Sequence, residues 1–161
     1  MKLSSLFFAR SILTAGLLFF ILTGHAQLSG IKNIPGDYPT LAAAVTDLNS
    51  QGVGPGGVVF NMNAGETAPA GGYDITATGT FPDQVVFNGN GNVITASAAQ
   101  TPGSLNDAIF KITGADFITI SAFTMQENAA NTDMTPGTNT MTEWGVALLY
   151  MSATNGAKSN N

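Results

Sequence analysis

Leu41, Ala44, Val45 and Leu48 recur at i, i+3, i+4 and i+7, which places one apolar stripe along a helix of about three turns. Asp37 and Thr40 offer oxygens for its N-cap, Pro39 suits a first turn, and Gly52 stands where a left-handed residue would end it. So short an amphipathic helix is marginal alone in water, and its stripe must lie on something apolar. Beyond it the apolar residues come in short β-branched or aromatic runs, read as strands at Val58–Met62, Gln84–Phe87, Asn92–Thr95, Ala108–Thr113, Phe117–Ser121, Phe123–Met125 and Gly145–Met151. Asn-Gly pairs such as those in Asn88-Gly89-Asn90-Gly91-Asn92 punctuate them.

The alternation of Ile118 and Ile120 with Thr119 and Ser121 is that of a strand with one face inside. Ser121-Ala122-Phe123 then turns a corner, so that Phe123 and Met125 enter the same core. Phe60 to Phe87 spans 27 residues, Val86 to Phe110 spans 24 and Val93 to Ile118 spans 25, a recurrence close to one coil of a solenoid. The longer return from Phe110 to Ala147 contains the polar stretch Gln126 to Glu143, an inserted loop. A β-sandwich shows similar alternation with hairpins between strands, and the helix also suits an ordinary α/β domain.

The segment Gly36-Asp37-Tyr38-Pro39-Thr40-Leu41-Ala42-Ala43-Ala44-Val45, followed by the run from Gly57 through Asn63-Ala64-Gly65, resembles the opening of pectin methylesterases and related pectate-lyase-like proteins. The resemblance implies an all-β fold, a right-handed parallel β-helix whose open end is plugged by the short N-terminal α-helix. Large secreted surface proteins of Gram-negative bacteria are similar as well, through Leu48-Asn49-Ser50-Gln51-Gly52-Val53 and Asn63-Ala64-Gly65. Terminal repeats of a solenoid need a cap, and here an N-terminal cap and about three coils stand without a closing element at the far end. The expected organisation is a signal peptide over residues 1–26, then over 27–161 the cap helix and first coils of a truncated β-helix domain.

The signal-peptide reading rests on Lys2 and Arg10 around the start, the apolar run Ile12 to Leu22, and the small residues of Gly24-His25-Ala26. The apolar core falls short of the roughly 20 residues of a membrane span. Cleavage after Ala26 would leave Gln27 first and a secreted or cell-surface protein; the alternative is an uncleaved anchor. No cysteine exists, so neither lipid attachment at a lipobox cysteine nor a disulfide is available.

Removing residues 1–26 changes the charge. Lys32, Lys111 and Lys158 then face all ten acidic residues, a net charge of −7, with no arginine or histidine left. Such a surface repels phosphate backbones and anionic lipid, which argues against nucleic-acid partners and membrane docking. Histidine- and cysteine-based triads and zinc sites of the usual type are unavailable. The resembling lyases use an arginine base beside calcium and the esterases paired aspartates with an arginine, so neither set is complete in residues 27–161.

Carboxylates remain. Asp107 and Asp116 flank neighbouring predicted strands, as do Asp74 and Asp83, in the manner of glycosidase pairs or of solvated turn residues. Glu127, Asn128, Asn131, Asp133, Asn139 and Glu143 form an oxygen-rich set of the type that ligates Ca²⁺, without the EF-hand spacing; a solvated loop is the alternative. Asn88, Asn90 and Asn92 suit an asparagine ladder between coils or left-handed turns. Trp144, the sole tryptophan, is either a sugar-stacking platform or a core lid. The expected function is a secreted module contacting glycan or protein without a catalytic set of its own. The alternative is the front part of a carbohydrate-active enzyme, a lyase, esterase or glycosidase, whose catalytic coils lie beyond residue 161. Expected partners are polysaccharide or cell-surface glycan.

Overall fold

The computed structural model describes residues 26–98, 100–102, 107–135 and 137–156. Residues 1–25, nearly all of the expected signal peptide, lie outside the described residues. The described elements are strands apart from one α-helix. In chain order they are β1 (Leu28–Ile34), α1 (Leu41–Gln51), β2 (Val53–Met62), β3 (Glu66–Thr67), β4 (Tyr73–Ile75), β5 (Val85–Asn88), β6 (Val93–Thr95), β7 (Ala108–Thr113), β8 (Ile118–Ser121), β9 (Thr124–Gln126), β10 (Trp144–Ser152) and β11 (Asn155–Gly156).

Three sheets hold these strands, in the orders β1-β2-β5-β8, β3-β6-β9 and β4-β7-β10-β11. Every pairing is parallel except the antiparallel β10–β11. From β2 to β10 the chain visits the three sheets in fixed rotation. Parallel neighbours in register put like residues in columns: Phe60 beside Phe87 beside Ile120, and Tyr73 beside Phe110 beside Val146. The rings of Phe60 and Phe87 stack at 5.1 Å and 14°. Phe110 continues the aromatic core, 5.1 Å from Tyr73 and 5.3 Å from Phe123. Each such contact adds to the large apolar area these rings bury.

The helix forms where its stripe demands. Leu41, Ala44, Val45 and Leu48 are its buried residues and join the same core as Phe60 and Phe87. Thr40 is the N-cap, accepting from the Ala43 amide at 3.2 Å, and Gly52 at φ +74° ends the helix with its amide on the Leu48 carbonyl. Asp37 serves the preceding turn instead, accepting from the Asn33 amide at 2.7 Å. Two long-range side chains fasten the helix. Glu66, on β3, takes the Leu41 amide on both carboxylate oxygens at 3.1 Å, a negative charge at the positive end of the helix. Asn49 bonds the Asp74 carbonyl and accepts from the Thr76 and Ala77 amides, so an amide side chain satisfies main-chain groups at the edge strand β4.

All seven expected strands form, with ends shifted by at most one residue except that β2 starts five residues earlier, at Val53. Four strands escape the pattern. In β1 only Leu28 and Ile34 are buried, and β3, β4 and β11 are two or three residues long, too short for an alternation to register. Of the four spacings, only the first is a distance between register partners. Phe60 and Phe87 are true register partners, but Val86 pairs with Thr119 and Phe110 with Tyr73, while Val93 pairs with Thr124 and Ile118 with Val85. Similar apolar runs recur in all three sheets, so a constant spacing between them does not say which strand lies beside which. Phe110 to Ala147 is likewise off by one, since Phe110 meets Val146 and Lys111 meets Ala147.

Close approach of neighbouring layers explains two glycines. At Gly72, φ +76°, an added Cβ would lie 2.0 Å from the Ala108 carbonyl oxygen; at Gly89 it would lie 2.4 Å from that of Ala122. Only a residue without a side chain fits.

Candidate functional site

Trp144 opens β10 and is 55 % exposed, so it does not lid the core. It borders a cavity of about 150 Å³ whose polar side is Gln126, Glu127, Thr142 and Glu143 and whose apolar side is Ile109 and Met125. The cavity exists because the chain, leaving β9, makes the excursion predicted from the polar stretch before returning as β10.

Glu127 organises that excursion. Its Oε1 accepts from the Asn128 amide at 2.8 Å and the Asn131 side chain at 2.7 Å, and its Oε2 from the Thr142 amide at 2.6 Å. The Thr142 hydroxyl adds a further bond at 3.3 Å. Burial pushes the Glu127 carboxyl up, but the donors of Asn131, Thr142 and Asn128 together outweigh it and hold it below the usual glutamate range. Asn128 and buried Asn131 donate in turn to the Ala96 and Ser97 carbonyls, pinning the loop to the layer beneath. The Asp133 carboxyl, held low by the Thr135 amide, closes a local turn. Five of the six residues proposed as Ca²⁺ ligands, Glu127, Asn128, Asn131, Asp133 and Asn139, therefore spend their oxygens or amides on the loop itself. Among the described residues, no three Asp, Glu, His or Cys side chains gather as a metal cluster.

The remaining carboxylates behave differently. Trp144 pairs in register with Ala108, and its amide donates to the Asp107 carbonyl at 3.1 Å. Asp107 and Glu143 each stand one residue before this register pair. Asp107 is only 8 % exposed, which corrects its reading as a solvated turn residue. Its Oδ2 is buried without a hydrogen bond, and so is Oε2 of Glu143, whose Oε1 takes the Asn139 side chain at 2.6 Å.

The carboxylate pairs expected from flanking positions separate. Asp107 precedes β7 and Asp116 precedes β8, in different sheets, and the same division parts Asp74 on β4 from Asp83 before β5. Asp74 accepts from the Thr113 hydroxyl at 2.6 Å and Asp83 from the Gly56 amide at 2.8 Å, both structural bonds between layers. Glu143 lies 36 positions from Asp107 across an insertion, and only the β7–β10 register puts both one residue before a paired position.

The asparagines do both things foreseen for them. Asn90 is left-handed at φ +50°, and Asn90 and Asn92 each donate to the Met62 carbonyl at 3.0 Å, while Asn88 donates to the Asn61 side chain in the neighbouring strand. Among the described residues no helix is long and apolar enough to cross a membrane. Set against protein-family models, curated proteins and solved structures, the chain matches none of them.

Proposed function

We propose that residues 27–161 belong to a secreted, right-handed parallel β-helix module that contacts a polysaccharide or cell-surface glycan and carries no catalytic set of its own. The rotation of the chain through three parallel sheets, with aromatic columns in register and a helix over the first layer, supports the solenoid part of this reading. The glycan part rests on one observation: the sole tryptophan stands half out in solvent at the rim of a polar-sided cavity. An indole offers a broad apolar face and one N–H, a combination that suits a sugar ring.

Titrating plant, algal and bacterial oligosaccharides against Trp144 fluorescence tests it. A saturable change that disappears in Trp144→Ala is expected, with no unsaturated product and no released methanol from pectin. Fluorescence that no oligosaccharide alters would remove the glycan reading, and turnover by the purified chain would replace it with the enzyme. Export is tested separately by the N-terminal sequence of the secreted product, expected to begin at Gln27.

A further inference from the structure

We propose that Asp107 and Glu143 together hold a hard divalent cation of the Ca²⁺ class, at a site built by the register of β7 on β10 and independent of the glycan reading. The two carboxylates stand one residue before the register pair Ala108 and Trp144, whose backbones are joined by the bond from the Trp144 amide to the Asp107 carbonyl, and each has one buried oxygen that no donor satisfies. Buried carboxylate oxygens are ordinarily paired or bound to metal, because an unmet charge away from water is strongly unfavourable. Elsewhere in this molecule the rule is kept: Glu66 takes the Leu41 amide and the Tyr73 hydroxyl, and Glu127 takes amides and a hydroxyl. The exceptions among described side chains are these two oxygens, and both belong to residues next to the Ala108–Trp144 register pair.

Nor does a described protein cation answer them. Lys32 lies in β1, at the other end of the sheets, and the Lys111 ammonium lies beside Gly71. Two carboxylates without nitrogen or sulfur donors select a hard, oxygen-seeking ion, with main-chain carbonyls and water filling the rest of its shell. The position also explains why the loop returns as it does. Asn139 fixes Oε1 of Glu143 at 2.6 Å, which leaves Oε2 as the free ligand.

Trp144 is the next residue along from Glu143 and gives the experiment its probe. Tb³⁺ titrated into the full chain under indole excitation should give saturable sensitised emission that Ca²⁺ displaces, and Ca²⁺ should raise the melting temperature of the wild-type chain. Asp107→Asn and Glu143→Gln should each weaken Tb³⁺ at least about tenfold, the order seen when a metal site loses a supporting group. Both variants should melt no lower than wild type without the ion, since each removes an unmet charge. Asp133→Asn, in the same loop, should bind like wild type. Absence of saturable emission together with an unchanged melting temperature in Ca²⁺ would overturn the proposal without recourse to any variant. Binding that survives Asp107→Asn and Glu143→Gln, or that Asp133→Asn abolishes, would overturn it too by moving the ion into the loop.

Discussion

The first and last layers of the molecule carry the same inward-facing residue types and meet different fates. Tyr73 and Phe110 are fully buried, whereas Val146, the next residue in their column, is 39 % exposed; Ile75 and Ile112 are buried, whereas Leu148 is 45 % exposed. At the near end the column is covered by α1, whose Leu41, Val45 and Leu48 seal the core. A strand in such a stack is therefore apolar because of its column, and buried only if another layer lies over it. Local pattern sets the first property and neighbours set the second.

The widest gap between the two ends is expected in truncation. Phe110→Ala removes a ring that touches Tyr73, Phe87 and Phe123 and should cost about 3–5 kcal/mol, whereas Leu148→Ala, already half in water, should cost less than about 1 kcal/mol. Denaturant melts of the two variants make the comparison, and equal losses would mean that something covers β10 in solution.

At the capped end, Val45→Asp should cost about 3 kcal/mol by placing an unpaired charge under the helix. Wild-type stability in that variant would show that α1 is not the seal. Between the ends, Gly72→Ala meets the Ala108 carbonyl and an unfavourable φ at once, and a loss of about 2 kcal/mol should appear in the same melts.

Two effects of pH are smaller and act at different places. Burial, with the Glu66 hydrogen bond, raises the Tyr73 hydroxyl, and burial with the Asp47 hydrogen bond raises that of Tyr38. A raised folded value means a contribution complete below the unfolded tyrosine value of about 10 and lost as pH climbs above it. Stability should fall in that alkaline window, and less steeply in Tyr73→Phe. For Glu127 the folded value is lowered, so its contribution holds above the ordinary glutamate value of about 4.3 and fades as pH drops below it. Hydrogen exchange at the Thr142 and Asn128 amides should speed up in acid, after correction for intrinsic rates, and Glu127→Gln should erase that dependence.

Much of this architecture was legible in particular residues. The stripe of Leu41, Ala44, Val45 and Leu48, the Gly52 stop and the alternation around Ile118 follow from periods of 3.6 and 2, which are local properties of a chain. The loop was legible as well, because eighteen polar-rich residues between strands cannot be buried. Less visible were the strands without a pattern, above all β1, which holds its place through register with β2 rather than through buried alternation. The six-residue oxygen-rich set stands out by composition, yet composition does not say that Glu127 is consumed by amides and Glu143 left half free.

The sequence by itself determined the helix and its caps, seven of the eleven strands, the glycine turns and the absence of arginine and histidine after residue 26. Only the tertiary structure decided which strand lies beside which, and with that the burial of Asp107, the separation of Asp107 from Asp116 and the exposure of Trp144. The reason is physical: periodicity is written in neighbouring residues, whereas register between parallel strands is fixed by intervening segments of unequal length, whose closure depends on contacts formed only when the whole stack is assembled.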